Sequence, residues 1–102
     1  MIEKRNNTYK LLLQEVKLKD GTEQGRTLAF EFENHDDVFD IIDKIQSKNI
    51  FRNKNHDVEF ALGLKLFSEV MLRHGDNLLF EELRPAFGQF MKKLKNTAVA
   101  AE

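Results

Sequence analysis

Three histidines, each close to a carboxylate in the sequence, are the strongest candidates in this chain for metal ligands or for acid–base catalysis. The pairs are His35 with Asp36, His56 with Asp57, and His74 with Asp76. A helical zinc-binding pair places two histidines four residues apart, and no two of these three have that spacing. Each pair also falls near the end of a predicted helix, where such residues commonly act as caps. We therefore predict structural roles for all three, with no metal site and no cofactor.

His35 has a more specific structural interpretation. At about 100° per residue it falls on the apolar side of the first predicted helix, between Phe39 and Ile42. A partly buried histidine at that point would hydrogen-bond between the helix and the strands that precede it. His35 is therefore a candidate polar anchor.

Three aspartates, Asp36, Asp40 and Asp43, are predicted to form an acidic stripe on the other side of the same helix. Neighbouring carboxylates can act as an acid–base couple or bind a divalent cation. Because nothing in the sequence places a cleft around these three, we interpret the stripe as a solvated face. The same face is a candidate docking surface for a basic protein partner.

Nucleophilic catalysis and nucleic-acid binding have little support in the sequence. The chain has no cysteine, and Ser47 and Ser68 fall inside predicted helices without a glycine-rich elbow. Lys92, Lys93 and Lys95 could contact phosphates, but that face has no aromatic residue for base stacking. Sixteen Lys and Arg against 17 Asp and Glu also lack the positive excess of a DNA-binding domain. We therefore predict that the protein is not an enzyme, and its charge argues against a nucleic-acid partner.

Two segments with alternating apolar residues predict an antiparallel β-hairpin. Their inward-facing residues are Tyr9, Leu11 and Leu13 in the first strand and Leu28, Phe30 and Phe32 in the second. The segment 20–25 contains two glycines and no apolar residue, which is typical of a connecting loop. Between strand and loop the apolar pattern moves to even positions at Val16 and Leu18, which predicts a β-bulge or a strong twist near residues 14–15.

Two helices are predicted to follow the hairpin. The first covers residues 35–48, with Asn34 as its N-cap. The second begins near Asn55 and ends at Gly75, with the glycine in the left-handed C′ position. On this second helix Phe67 and Val70 belong to the predicted apolar face, and Lys65 and Glu69 to the opposite, charged side.

A third helical segment covers residues 78–95 and contains Pro85. Proline lacks a backbone N–H group, so it either bends a helix or stands in its first turn. The sequence is compatible with one helix bent at Pro85 and with a short turn followed by a helix that has Pro85 at N1.

These elements predict an α+β fold in which a two-stranded antiparallel hairpin is followed by three helices, in the order β-β-α-α-α. Residues 1–95 are predicted to form a single α+β domain, and residues 96–102 a frayed C-terminal tail. No segment has the ~18–20 apolar residues that a membrane helix needs, and the polar start of the chain does not resemble a signal peptide. We therefore expect a cytoplasmic protein without membrane contact.

Two features predict a homodimer. A lone hairpin has two unpaired edges, and pairing across a two-fold axis would give a four-stranded sheet. Separately, Leu62, Leu66 and Leu72 add apolar surface beyond the main face of the second helix, and a partner could cover them. The sequence leaves open which of these two surfaces makes the dimer.

Short motifs along most of the chain, from about Tyr9 to Lys95, resemble a family of small bacterial proteins that is catalogued as a domain of unknown function. The motifs are Asn34-His35-Asp36-Asp37, Leu62-Gly63-Leu64-Lys65-Leu66, Glu69-Val70-Met71-Leu72, Leu79-Phe80-Glu81-Glu82-Leu83 and Phe90-Met91-Lys92-Lys93-Leu94-Lys95. The resemblance implies a bacterial source, a stand-alone domain and no established activity. It supplies no catalytic or ligand-binding residues.

The leading functional prediction is a non-enzymatic module that binds an unidentified protein partner or acts as a homo-oligomeric accessory. A first alternative is a small-molecule or metal-binding protein with a pocket between the hairpin and the helices. A second alternative is a weak nucleic-acid binder that uses the C-terminal lysines.

Overall fold

A computed structural model of the chain describes residues 5–98. Its elements are β1 (Asn7–Gln14), β2 (Thr27–Asn34), α1 (Val38–Lys48), α2 (Lys54–Arg73), a 3-10 turn (Leu78–Phe80) and α3 (Leu83–Asn96). The predicted α+β fold and its β-β-α-α-α order are therefore confirmed. Contacts divide the chain into two compact units, which we call the hairpin unit (to Asp36) and the helical unit (from Asp37).

The hairpin has a regular register without a bulge. Its pairs run from Asn7 opposite Asn34 to Gln14 opposite Thr27. The Glu15 N–H group then donates to the Arg26 carbonyl at 2.7 Å, which continues the same register by one residue. The predicted bulge is wrong because the shift in the apolar pattern marks the end of β1 and not an insertion within it.

Helix α1 begins three residues later than predicted. The carboxylate of Asp37 accepts hydrogen bonds from the N–H groups of Phe39 at 3.0 Å and Asp40 at 3.3 Å, so Asp37 is the N-cap. Asn34, the predicted cap, is buried, and its side-chain oxygen accepts from the Asp36 N–H at 3.0 Å. Both residues are good cap formers. Asp37 starts the helix because it directly precedes Val38, the first residue of the apolar stripe.

Helix α2 has the same kind of start. The side-chain oxygen of Asn53 accepts from the N–H groups of Asn55 and His56 at 2.9 and 3.1 Å. At the other end, the His74 N–H donates to the Val70 carbonyl and closes the helix. Gly75 does not adopt the left-handed conformation that we predicted for it. No helix within residues 5–98 has the length and apolar content needed to cross a membrane.

The predicted third helical segment is a 3-10 turn followed by α3, which is the second of the two alternatives. Pro85 is the third residue of α3 and not the first. This position is tolerated because the first N–H groups of a helix have no partner within the helix. Within the predicted tail, Asn96 ends α3 and the Thr97 carbonyl accepts from Lys48 Nζ at 2.6 Å. Residues 99–102 lie outside the described residues.

The core of the helical unit joins one residue from each helix. Ile45 of α1, Ala61 of α2 and Leu94 of α3 are buried together. Aromatic rings extend the contact between α2 and α3, because Phe67 meets Phe87 edge-on with ring centres 5.9 Å apart. The three helices therefore pack around a small shared core.

Candidate interaction surface

One face of the hairpin is built from three apolar cross-strand pairs. These are Tyr9 with Phe32, Leu11 with Phe30, and Leu13 with Leu28. The Tyr9 and Phe32 rings stack with centres 5.4 Å apart. Exposure rises towards the loop, so that Leu13 and Leu28 keep 63% and 57% of their surface in water. The loop-proximal half of this face is therefore an uncovered apolar surface.

The opposite face of the hairpin is exposed along both strands. It carries the cross-strand pairs Lys10 with Glu31 and Leu12 with Ala29. Leu12 is 62% exposed although it lies in the middle of a strand. A large aliphatic side chain at that place is unusual beside a lysine and a glutamate, because exposed strand faces are normally polar. Leu12 adds apolar surface on this side as well.

The register shows which backbone groups of the hairpin point outwards. In an antiparallel pair, residues that exchange two hydrogen bonds alternate with residues that exchange none. The bond from Glu15 to Arg26 marks a hydrogen-bonded pair, so every second pair from there along the strands is also bonded. The unbonded positions direct their N–H and carbonyl groups to the outer edges. They are Thr8, Lys10, Leu12 and Gln14 in β1 and Thr27, Ala29, Glu31 and Glu33 in β2, and all eight are exposed.

Local polar contacts hold the loop end of the hairpin. Arg26 Nε donates to the Glu15 carboxylate at 2.8 Å, which ties the two strands together beyond the last pair. In the loop, the Thr22 N–H and hydroxyl groups donate to Asp20 Oδ1 at 2.9 and 2.7 Å. The backbone donor and then the hydroxyl lower the pKa of the Asp20 carboxyl from its ordinary value of 3.8.

His35 and Asp36 stand outside α1, contrary to the prediction. They belong to the turn that ends the hairpin unit, because Asp37 caps the helix after them. The His35 side chain is 51% exposed, and its Nε2 lies 3.5 Å from Asp36 Oδ2. The Asp36 carbonyl accepts from Asn7 Nδ2 at 3.1 Å and from the Tyr9 hydroxyl at 3.4 Å. The turn is thus held to β1 by hydrogen bonds from two β1 side chains to the Asp36 backbone carbonyl. His35 is not a buried helix residue.

The acidic stripe is shorter than predicted. Asp40 and Asp43 are exposed residues of α1, whereas Asp36 is half-buried in the hairpin unit. The prediction of three aspartates on one helix failed for the same reason as that for His35, namely the later start of α1. The structure leaves a pair of solvated carboxylates one turn apart.

The three leucines of α2 do not form one surface. Leu62 and Leu66 are half-buried, while Leu72 is exposed. Leu72 also lies about 80° around the helix from Leu62, since ten residues turn through about 1000°. Beyond the end of α2, Leu78 and Leu79 are still more exposed than Leu72. The exposed apolar residues in this part of the helical unit are thus near the 3-10 turn.

Sequence reasoning missed a buried line of charged residues on α2. Asp57, Lys65 and Glu69 keep only 1%, 8% and 6% of their surface exposed, and the buried Ala61 stands between Asp57 and Lys65. Their common spacing of four residues puts them on one side of the helix. That spacing is visible in the sequence, but we assigned Lys65 and Glu69 to solvent. Within the described residues, neither carboxylate oxygen of Asp57 has a hydrogen-bond partner.

A shallow groove lies at the start of α2. Its volume is about 300 Å³, and it is lined by Phe51, His56, Glu59 and Phe60. The Phe51 and Phe60 rings meet edge-on with centres 5.1 Å apart. The groove is formed within the helical unit alone, and His35 does not line it. Among residues 5–98, no three histidine, aspartate or glutamate side chains are grouped so that they could hold a metal ion.

Comparison with known proteins places this chain among relatives of unknown function. A crystal structure of a protein of unknown function from Pectobacterium atrosepticum is similar to it, with a TM-score of 0.77 and 37% sequence identity. The similarity covers 89% of this chain and 98% of that one. No curated protein matches the chain. The family described as a domain of unknown function, DUF3861, matches residues 7–96. The chain therefore belongs to the DUF3861 family.

Proposed function

We propose that the protein is a non-enzymatic interaction module that acts as a homodimer in the cytoplasm. The observation that carries the proposal is the exposed apolar surface on both faces of the hairpin, where Leu13 and Leu28 on one face and Leu12 on the other are more than half exposed. Exposed apolar patches on small proteins mark interaction sites. A two-stranded hairpin is also marginal by itself, and its open edges are templates for another strand.

The roles of the serine side chains support a non-enzymatic function. The Ser47 hydroxyl donates to the Lys44 carbonyl at 2.6 Å, one turn earlier in its helix. The Ser68 hydroxyl lies 3.5 Å from the Lys65 carbonyl in the same arrangement. A nucleophilic serine instead needs a base within hydrogen-bond distance. Both serines are placed as ordinary helix residues.

Light scattering coupled to size exclusion tests the proposal directly. We expect a mass of twice the 11.9 kDa of one chain at tens of micromolar, falling towards one chain on dilution. A single-chain mass throughout that range would contradict the proposal. The hairpin variants described below then show whether the hairpin carries the association.

The groove at the start of α2 supports a second candidate function, the binding of a small organic cation. Two aromatic rings beside a carboxylate are the usual elements of such a site. Titration with tetramethylammonium, followed by backbone amide chemical shifts, tests it. We expect shifts around Phe51 and Phe60 that are lost in Glu59→Gln and kept in Glu82→Gln, an exposed glutamate at the start of α3. Equal shifts in both variants would rule out the carboxylate as a ligand.

A further inference from the structure

We propose that the second copy of the chain pairs with the outer edge of β1, antiparallel, with the two-fold axis at Leu11. This inference rests on the proposed function, because it presupposes that the protein self-associates, and it adds the surface and the register. Within residues 5–98, β1 is paired with β2 alone, so its outer edge is open. All four β1 residues whose backbone groups point to that edge are exposed.

The outward backbone groups restrict the registers in which two copies of β1 can pair. Only Thr8, Lys10, Leu12 and Gln14 offer outward N–H and carbonyl groups, so these residues must face one another across the new contact. These four residues all have even numbers. In a symmetric antiparallel contact, even-numbered residues face even-numbered residues only when the two-fold axis passes through a residue and not between two residues. The central candidates for that residue are Lys10, Leu11 and Leu12.

Charge and length select Leu11 among these three. An axis at Leu11 pairs residues 8–14 of both copies and places Lys10 opposite Leu12 of the second copy. An axis at Lys10 pairs as many residues, but it places the two lysines directly opposite each other, which destabilises a sheet. An axis at Leu12 pairs only residues 10–14. The Leu11 register thus uses the outward groups most fully without a like-charge pair.

The charges of the hairpin also favour β1 over β2 as the contact edge. Two copies of β2 would bring Glu31 and Glu33 of both chains together on the two central strands of the sheet. With β1 in the centre, Lys10 instead stands between Glu31 of its own chain and an apolar residue of the other. Pairing of β1 with β2 of a second copy would leave an open edge at each end and continue into a filament. Only the β1 contact closes without gathering carboxylates.

The selected register also covers the exposed leucines of β1. Leu13 comes to lie opposite Tyr9 of the second copy, and Leu11 opposite its own equivalent. On the other face, Leu12 lies opposite Lys10 of the second copy, whose aliphatic stem can pack over it. Leu12 and Leu13 are 62% and 63% exposed in the single chain, and both gain a cross-strand neighbour in the dimer.

Single cysteines test the register, because the chain has none of its own. Residues at the axis have Cα atoms about 4.5 Å apart, within the range of a disulfide. We expect Leu11→Cys to form a disulfide-linked dimer under mild oxidation. In Leu13→Cys the two equivalent Cα atoms are about 14 Å apart, and in Leu12→Cys they are diagonal neighbours about 7–8 Å apart, so neither should cross-link efficiently. Efficient cross-linking of Leu12→Cys or Leu13→Cys in preference to Leu11→Cys would overturn the register.

Charge variants at the exposed Leu12 test the same contact without touching the half-buried Leu11. Leu12→Lys places a cation opposite Lys10 of the second copy, twice per dimer, and Leu12→Glu places an anion there. We expect the dimer of Leu12→Glu to be about tenfold tighter than that of Leu12→Lys, and the difference to shrink at high salt. The control is Ala29→Lys, which adds the same charge at the edge of β2 and should leave the dimer Kd near that of the parent.

The outcomes separate the inference from the proposed function. A parent protein that is monomeric refutes the function and the inference together. A dimeric parent whose Kd is equal in Leu12→Lys and Leu12→Glu, with no cross-link at Leu11→Cys, refutes the β1 edge and leaves self-association in place. Loss of the dimer in Ala29→Lys alone would transfer the contact to β2.

Discussion

Helices α1 and α2 lie in the same unit and pack on each other, yet they differ in how well their buried sides follow from the sequence. In α1 the apolar residues Val38 and Ile45 are buried, and Asp40 and Asp43 face water. In α2 the charged residues are among the buried ones, while Phe67 and Val70 are partly exposed. The same periodicity argument that succeeds for α1 therefore fails for α2.

The difference comes from how each sequence distributes its apolar residues around the helix. In α1 they form one stripe, so there is only one side that burial can favour. In α2 they are spread over several sides, and Leu62, Leu66 and Leu72 interrupt the charged flank. The different sides of α2 would therefore bury similar amounts of apolar surface, and the hydrophobic energy gives little preference for one side over another. For such a helix the tertiary packing decides the orientation, and the hydrophobic pattern alone cannot.

The largest effect that the comparison predicts is at the core residue of α1. Ile45 is buried against Ala61 and Leu94, so Ile45→Ala removes buried methyl groups and leaves a cavity between three helices. We expect the free energy of unfolding to fall by about 2–5 kcal/mol. Lys44→Ala, on the exposed side of the same helix, should change it by less than about 0.5 kcal/mol. Urea unfolding followed by circular dichroism measures both, and similar losses would mean that the sides of α1 are assigned wrongly.

On α2 the comparison predicts a gain in stability from removing a charge. Burial of a carboxylate that lacks hydrogen bonds is unfavourable, and both oxygens of Asp57 are in that situation within the described residues. Asp57→Asn keeps the shape and removes the charge, and we expect the free energy of unfolding to rise by about 1 kcal/mol. Asp43→Asn in α1 is the exposed control and should have little effect. A loss of stability in Asp57→Asn would show that the charge itself stabilises the fold.

The same contrast explains how much of the molecule was predictable. The strand faces followed from the period-two pattern, because side chains alternate between the two faces of a strand. The pairing of Tyr9 with Phe32 came only from the register in the structure. The end of α1 at Lys48 was predicted correctly, but its start was wrong because Asn34 and Asp37 are both suitable caps. Asn34 is buried at the end of β2, which leaves Asp37 as the cap. The outward direction of the Leu12 backbone groups followed only from the register. The exposure of Leu12, Leu13 and Leu28, which carries the proposed function, cannot be read from the alternating pattern of the strands.

The two helix starts allow a comparison of equal local chemistry in different surroundings. Asp37 and Asn53 each accept two backbone hydrogen bonds through one side-chain oxygen. We expect Asp37→Ala and Asn53→Ala each to lower the free energy of unfolding by about 1 kcal/mol. Asp37→Asn keeps the acceptor and should cost only a few tenths of a kcal/mol, because it loses the favourable charge at the helix N-terminus. Thermal unfolding of the four proteins, parent included, gives the ranking. An Asn53→Ala loss well below that of Asp37→Ala would mean that packing around α2 replaces its cap.

The smallest effect concerns the hairpin loop, where two donors from Thr22 hold the Asp20 carboxylate. Because these bonds lower the pKa of Asp20, they stabilise the folded chain above pH 3.8, and that contribution is lost as the pH falls through the lowered pKa. Thr22→Val removes the hydroxyl donor and keeps the backbone donor, which is the larger cause. We therefore expect the pKa of Asp20 to rise part of the way towards 3.8, as measured by carboxyl chemical shifts during a pH titration. An unchanged Asp20 titration would mean that the backbone bond alone lowers the pKa.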